Sequence, residues 1–194
     1  MRSMKHKEIY FFIVAVLFSF LFDDIISEFV LNFKFPILIK IMEWFSHEVT
    51  VFGVLLIISS LFLYEERKNN YIPLLFISFF LAFFGSFFLK FLIMRERPFG
   101  LDYLIINIFE FVLKIPNYGF PSTHAAMAFS VVPILDKEFK KLKLFWIFFA
   151  IMICISRIYL NQHYLSDVIF GSFLGYLSGY YTLKLGEKHN VKHL

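Results

Sequence analysis

Residues 71–94 read YIPLLFISFFLAFFGSFFLKFLIM, from Tyr71 to Met94, and Lys90 is the one charged side chain among them. A helix rises about 1.5 Å per residue, so this run is long enough to cross a hydrocarbon core of about 30 Å. It has no polar stripe that would let one face meet water. Such a segment belongs in lipid, and the rest of the chain agrees with it. Five further apolar stretches flank it: Ile9–Ile26, Val49–Tyr64, Ser122–Leu135, Leu144–Tyr159 and Tyr164–Leu185. The predicted fold is an all-α integral membrane bundle of six transmembrane helices, formed as a single domain over residues 1–194. The 122–135 stretch is the shortest, opening at Pro121-Ser122 and closing at Asp136, and is expected to be a short helix whose ends lie in protein. Of the 194 residues 59% are hydrophobic, 18% are charged and 30 are phenylalanine. The mean hydropathy is +0.72. A soluble domain carries roughly a quarter charged residues, so a soluble enzyme is excluded. One cysteine excludes a disulfide-stapled fold.

Six spans leave both termini on one side. If that side is the cytoplasm, the inner segments hold 12 of the 19 basic residues and 6 of the 15 acidic ones. Lys and Arg accumulate in short cytoplasmic loops, so the chain is read N-in and C-in, in the cell membrane. This distribution also accounts for the net charge of +4 without nucleic acid as a partner. Arg2, Lys5 and Lys7 before an apolar run resemble a signal peptide, but bulky Phe20-Leu21-Phe22 and acidic Asp23-Asp24 follow instead of a small-residue cleavage site. An uncleaved first helix is expected. Segments 36–47 and Leu101–Lys114 read as amphipathic helices in the headgroup plane, or as loops packed on the bundle.

Charge near a membrane helix is expensive unless it is paired or wet. Three clusters carry it: Lys90 with Arg97-Pro98, Pro121-Ser122-Thr123-His124, and Ser156-Arg157 with His163 and Asp167. Threading the chain N-in places all three on the outer face. Taken singly, the first is also a pair of snorkelling anchors, the second an ordinary helix start capped by Ser122, and the third a structural His–Asp pair. Together they describe one chemistry. Lys90, Arg97 and Arg157 suit a phosphate group, which arginine grips with its planar fork. Residues 122–124 stand at a helix N-terminus, where anions are favoured. If the helix of the third span continues, Lys90 and Arg97 share its face. Two histidines remain, enough for a nucleophile and a proton donor, and Asp167, one turn after His163, can orient that ring. His124, His163 and Asp167 could also be metal ligands, but three adjacent cations oppose a bound metal ion.

These residues resemble the three motifs of the type-2 phosphatidic acid phosphatase superfamily, which includes membrane lipid phosphatases, soluble bacterial acid phosphatases and vanadium haloperoxidases. The resemblance runs over Lys90-x6-Arg97-Pro98, Pro121-Ser122-Thr123-His124 and Ser156-Arg157-x5-His163-x3-Asp167, and covers roughly residues 36–185. One position departs, since Thr123 stands where the family usually has Gly. The resemblance implies that His163 forms a phosphohistidine, that Asp167 orients it, and that His124 is general acid and then base. It implies that Lys90, Arg97, Ser122, Thr123 and Arg157 hold the phosphate, with no metal and no cofactor. The apolar content points to the lipid phosphatase branch, with a membrane lipid phosphate as partner. The favoured substrate is a polyprenyl diphosphate such as undecaprenyl diphosphate. Phosphatidylglycerophosphate, phosphatidic acid and lipid A 1-phosphate stay as alternatives. A lipid phosphotransferase and a non-catalytic transporter or scaffold are the other classes. The motifs do not choose among them, nor do they speak to oligomeric state.

Overall fold

The computed structural model describes residues 6–64, 70–98 and 118–190, and all regular structure among them is helical. The chain begins with α1 (His6–Ser19), makes a 3-10 turn at Phe20–Phe22 and continues as α2 (Asp23–Asn32). Tyr10–Asn32 thus forms one apolar stretch of 23 residues, running past the Ile26 boundary expected from sequence. The two acids do not end it, because Asp23 turns inward and is bonded by protein, as described below. Helix α3 (Pro36–Ser46) follows, then α4 (Glu48–Tyr64) and α5 (Tyr71–Ile93). Pro36 sits at the start of α3, where its missing N–H costs nothing. Beyond residue 117 come α6 (Thr123–Ser130), α7 (Val132–Glu138), α8 (Lys140–Tyr159) and α9 (Leu165–Asn190). By length and apolarity alone, two stretches among the described residues are able to cross a bilayer, Tyr10–Asn32 and Tyr71–Ile93.

The stretch 122–135 is two short helices rather than one. The break falls at Val131, next to Pro133, which lacks the N–H that would continue the ladder. Ala125, Ala126, Ala128, Val131, Ile134 and Leu135 are all fully buried. The segment is therefore surrounded by protein, as its length suggested.

Helix α6 lies between α5 and α9. Its contact with α9 is backbone on backbone. A Cβ placed on Gly171, Gly175 or Gly179 would fall 2.5, 2.0 and 2.0 Å from the carbonyl oxygens of Ser122, Ala126 and Ser130. Small residues four apart on both helices allow this approach, as in packed membrane helices generally. Trp146 of α8 is buried and donates from Nε1 to the Ala128 carbonyl at 2.7 Å. Helix α3 rests on α8, with the Phe45 and Phe149 ring centroids 5.5 Å apart. Its Ile37, Ile41 and Trp44 remain exposed around Lys40. Phe11 and Leu21 on the first stretch, Phe84 and Phe88 on α5 and Phe148 on α8 also point outward, which in a bilayer is contact with lipid. The second candidate interfacial segment, Leu101–Lys114, lies outside the described residues.

Candidate active site

The C-terminal end of α5 and the N-terminal ends of α6 and α9 meet at one end of the bundle, and the residues singled out from sequence gather there. Asp167 and Ser122 are joined through the main chain, where the Ser122 N–H donates to the Asp167 carbonyl at 3.0 Å. Helix α5 does not continue to Arg97. It stops at Ile93, and Met94 takes a left-handed conformation (φ 50°), its N–H bonded to the Lys90 carbonyl at 2.9 Å. Lys90 and Arg97 therefore do not share a helix face. Lys90 reaches forward from the last turn, donating from Nζ to the carbonyls of Tyr118 (2.6 Å) and Gly119 (3.2 Å). Arg97 stands on the following non-helical segment and donates to the Gln162 carbonyl at 3.3 Å. Gly119 is needed between them. A Cβ there would come within 3.1 Å of Asp167 Oδ2 and 3.3 Å of the Glu96 carbonyl.

Ser122 is the N-cap of α6, its Oγ accepting from the Ala125 N–H at 3.5 Å. Thr123 and His124 form the first turn, where amide N–H groups have no partner within the helix. His124 Nε2 is buried and meets no hydrogen-bond partner among the described residues. Arg157, Arg97 and Lys90 all lie within electrostatic reach of both His124 and His163. Arg157 is buried, bonded through its guanidinium to Ser46 Oγ of α3. Its carbonyl accepts from the Gln162 N–H at 3.0 Å and the His163 N–H at 3.3 Å. Ser156 serves its own helix, donating to the Ile153 carbonyl at 2.7 Å.

His163 sits in the turn between α8 and α9, and its Nδ1 faces Asp167 Oδ2 at 3.4 Å. Burial, then Arg97, Lys90 and Arg157, hold this imidazole well below its ordinary titration range. It is neutral at pH 7, with Nε2 available as a base or nucleophile. Asp167 is fully buried, and its Oδ2 also accepts from the Tyr164 N–H at 3.0 Å. That bond closes half of a capping box at the start of α9.

Arg95, a partner of Asp167, and Asp23, a partner of Arg95, were not among the sequence candidates. Arg95 donates from Nη1 to Asp167 Oδ1 at 2.8 Å and from Nη2 to Asp23 Oδ2 at 2.7 Å. Asp23 Oδ1 in turn accepts from the Ser166 N–H at 2.9 Å. The signal was present, because an acid inside an apolar span calls for a named partner. Asp23 lies inside the expected Ile9–Ile26 span, but in the reading of the sequence it serves only to argue against a cleavage site.

A family model described as the PAP2 superfamily matches residues 70–190. The chain belongs to the PAP2 superfamily. A lipid A 4'-phosphatase of Bacteroides thetaiotaomicron is 32% identical over 105 residues, which are 52% of this chain and 47% of that protein. The chain thus spans about half the length of this curated PAP2 relative. Among solved structures, the first transmembrane PAP2-type phosphatidylglycerolphosphate phosphatase from Bacillus subtilis superposes with a TM-score of 0.69 at 21% identity, covering 93% of this chain and 94% of that one. LpxE of Aquifex aeolicus superposes with a TM-score of 0.61 at 26% identity, over 81% and 92% of the two chains. The fold of this PAP2 chain is therefore that of membrane phosphatases, and the apolar exterior fits it.

Proposed function

We propose that this chain is a metal-independent membrane lipid phosphatase that works through a phosphohistidine at His163. The observation that carries the reading is a pair of histidines among three cations: one buried ring is backed by a carboxylate, and the other holds a buried nitrogen without a partner among the described residues. Buried polar atoms are rarely left orphaned. One placed here is suited to a leaving oxygen. Lys90, Arg97, Arg157, Ser122 and Thr123 would hold the phosphoryl oxygens, with the first-turn amides of α6 assisting. His163 Nε2 attacks phosphorus, and the bond to the lipid oxygen breaks. The leaving oxygen keeps the electron pair and takes a proton from His124, which the incoming negative charge helps to protonate. His124 then takes a proton from water as that water attacks phosphorus. The P–N bond breaks and inorganic phosphate leaves. Thr123 narrows the phosphate cradle relative to the family's usual Gly but keeps its N–H.

We place the site on the outer face of a six-span, N-in and C-in bundle, on the 12-to-7 basic asymmetry. In a Cys154→Ala background an impermeant thiol reagent on intact cells should label Lys40→Cys and not Lys184→Cys. The reverse pattern would invert the topology.

For substrate, the outward site favours a polyprenyl diphosphate. The relatives' names favour a second reading, a phosphomonoester on a glycolipid or glycerolipid. Phosphate release from a panel of lipid mono- and diphosphates in detergent, with EDTA present throughout, tests the proposal. Release from at least one lipid should survive EDTA, and vanadate should inhibit it. His124→Ala should lose more rate on monophosphates, which expel an alkoxide, than on diphosphates, with general acid catalysis contributing about 10²–10⁴-fold where it is needed. Loss of all activity on chelation, restored by Mg²⁺, would refute the cation argument. Transfer of phosphate to a second lipid with none to water would replace hydrolysis by phosphotransfer.

A further inference from the structure

We propose that Arg95 and Asp23 are positioning residues, acting through Asp167 to hold the His163 ring in the orientation that presents Nε2 to phosphorus. The inference rests on the reading of His163 as the nucleophile. Four observations support it. First, Arg95 is tied up by acids rather than open to phosphate. Its guanidinium bridges Asp167 Oδ1 at 2.8 Å and Asp23 Oδ2 at 2.7 Å, and Nη1 also donates to Ser166 Oγ at 2.6 Å. Second, the bridge is held by two rings, since the Arg95 guanidinium carbon lies 4.2 Å from the centre of the Tyr164 ring and 5.0 Å from that of Phe20. Cation–π contacts of this kind hold a guanidinium plane in place. Third, Asp23 is itself locked to α9. It accepts from the Ser166 N–H at 2.9 Å and the Ser166 hydroxyl at 2.5 Å, so a carboxylate from the first apolar stretch serves one of the orphan first-turn amides of the helix that carries Asp167. Fourth, both oxygens of Asp167 are engaged, Oδ1 by Arg95 and Oδ2 by the Tyr164 N–H, leaving it no freedom to rotate away from His163 Nδ1.

The charges add up accordingly. Lys90, Arg97 and Arg157 surround the histidines, whereas Arg95 stands between two carboxylates on the far side of Asp167. Asp167 alone could turn its carboxylate. Asp167 held by Arg95, with Arg95 held by Asp23, cannot do so without breaking the whole chain of bonds. Lysine keeps the charge but offers a compact ammonium in place of a planar fork, so it cannot reproduce the bridge.

Arg95→Lys tests this, because the retained cation avoids leaving two buried carboxylates face to face. Its kcat should fall about 10–10²-fold, the scale of a small misplacement of reacting groups, while KM stays within about threefold as expected when ground-state binding is untouched. Asp23→Asn should shift kcat in the same direction by less. Combining Arg95→Lys with Asp167→Asn should give a rate close to that of Asp167→Asn alone, since the first change acts only through the second. The second measurement needs no substrate. In ¹⁵N-histidine-labelled protein in detergent, the His163 ring, assigned by its loss in His163→Gln, should carry its proton on Nδ1 alone in the wild type. In Arg95→Lys it should show a mixture of tautomers. An unchanged ring signal in Arg95→Lys overturns the inference, whether the rates are normal or fall additively with Asp167→Asn. If the wild type releases phosphate from no lipid, the phosphatase reading fails while the ring signal still decides the role of Arg95.

Discussion

His163→Ala should lower phosphate release by at least about 10⁴-fold, the scale seen when a nucleophile is deleted, and should abolish the acid-labile, base-stable phosphoenzyme trapped by a rapid quench. No neighbouring group can take over. His124 Nε2 is the other buried imidazole nitrogen of the site, but it lacks the carboxylate that faces His163 Nδ1 at 3.4 Å. Asp167→Asn should cost roughly 10³–10⁴-fold, because an amide neither fixes the tautomer nor stabilises an imidazolium. The amide keeps the size of the carboxylate but can accept from only one of Arg95 and the Tyr164 N–H, so a thermal melt of the variant is measured beside its rate. The wild-type pH profile adds an independent check. A His whose protonated form is disfavoured by burial and three cations loses activity only when pH falls below its own depressed value. The acid limb of kcat/KM should therefore lie below the ordinary imidazole value of 6.5. Near-normal turnover by His163→Ala would remove it as nucleophile.

The second large effect is expected from a packing contact between helices. Gly175→Ala places a methyl 2.0 Å from the Ala126 carbonyl oxygen, and no rotamer relieves a clash with main chain. The two helices must separate, and with them the His124 and His163 ends of the site. Displacement on the order of 1 Å can cost about 10²-fold in rate, and overpacking of this kind costs about 1–3 kcal/mol. Gly85→Ala is the control, because nothing lies within 4 Å of a Cβ there. In a helix interior that change should be neutral or stabilising by up to about 1 kcal/mol. Thermal inactivation and kcat for the two variants should separate widely, and equal tolerance would show that α6 and α9 are not locked by their backbones.

Much of this was legible in the sequence because lipid simplifies it. In a chain so apolar, Lys90, Arg97, His124, Arg157, His163 and Asp167 are conspicuous, and each lies at the end of a helix or in the adjoining turn. What the sequence concealed were relations between distant positions. Asp23 and Arg95 are 72 residues apart, and Asp23 and Ser166 are 143 apart. A hydropathy window runs straight through Asp23-Asp24 and has no means of finding a cation for either. The same averaging merged 122–135 into one stretch, although Pro133 interrupts it at Val131. The expected shared face of Lys90 and Arg97 failed on one residue, Met94, whose left-handed turn ends α5. Methionine carries none of the conformational freedom that makes glycine a usual C-terminal signal. Gly171, Gly175 and Gly179, by contrast, recur at a spacing of four, a pattern that does announce close helix packing.

The bridge from Asp23 to Arg95 also bears on the order in which the chain is made. The first apolar stretch leaves the ribosome with a carboxylate whose partners do not yet exist. At roughly 5–20 residues per second, Arg95 follows after several seconds and Ser166 after about twice as long. During that interval the acid lacks its partners, and an unpaired Asp at mid-helix costs about 2.5–3.5 kcal/mol on insertion. The first helix is therefore poorly settled as an isolated span and gains its final position only when the last helix docks. Nascent chains that stop short of Ser166 have neither a finished first helix nor a finished His163 turn. Biogenesis thus makes the proposed reactive centre one of the last parts of the molecule to be completed.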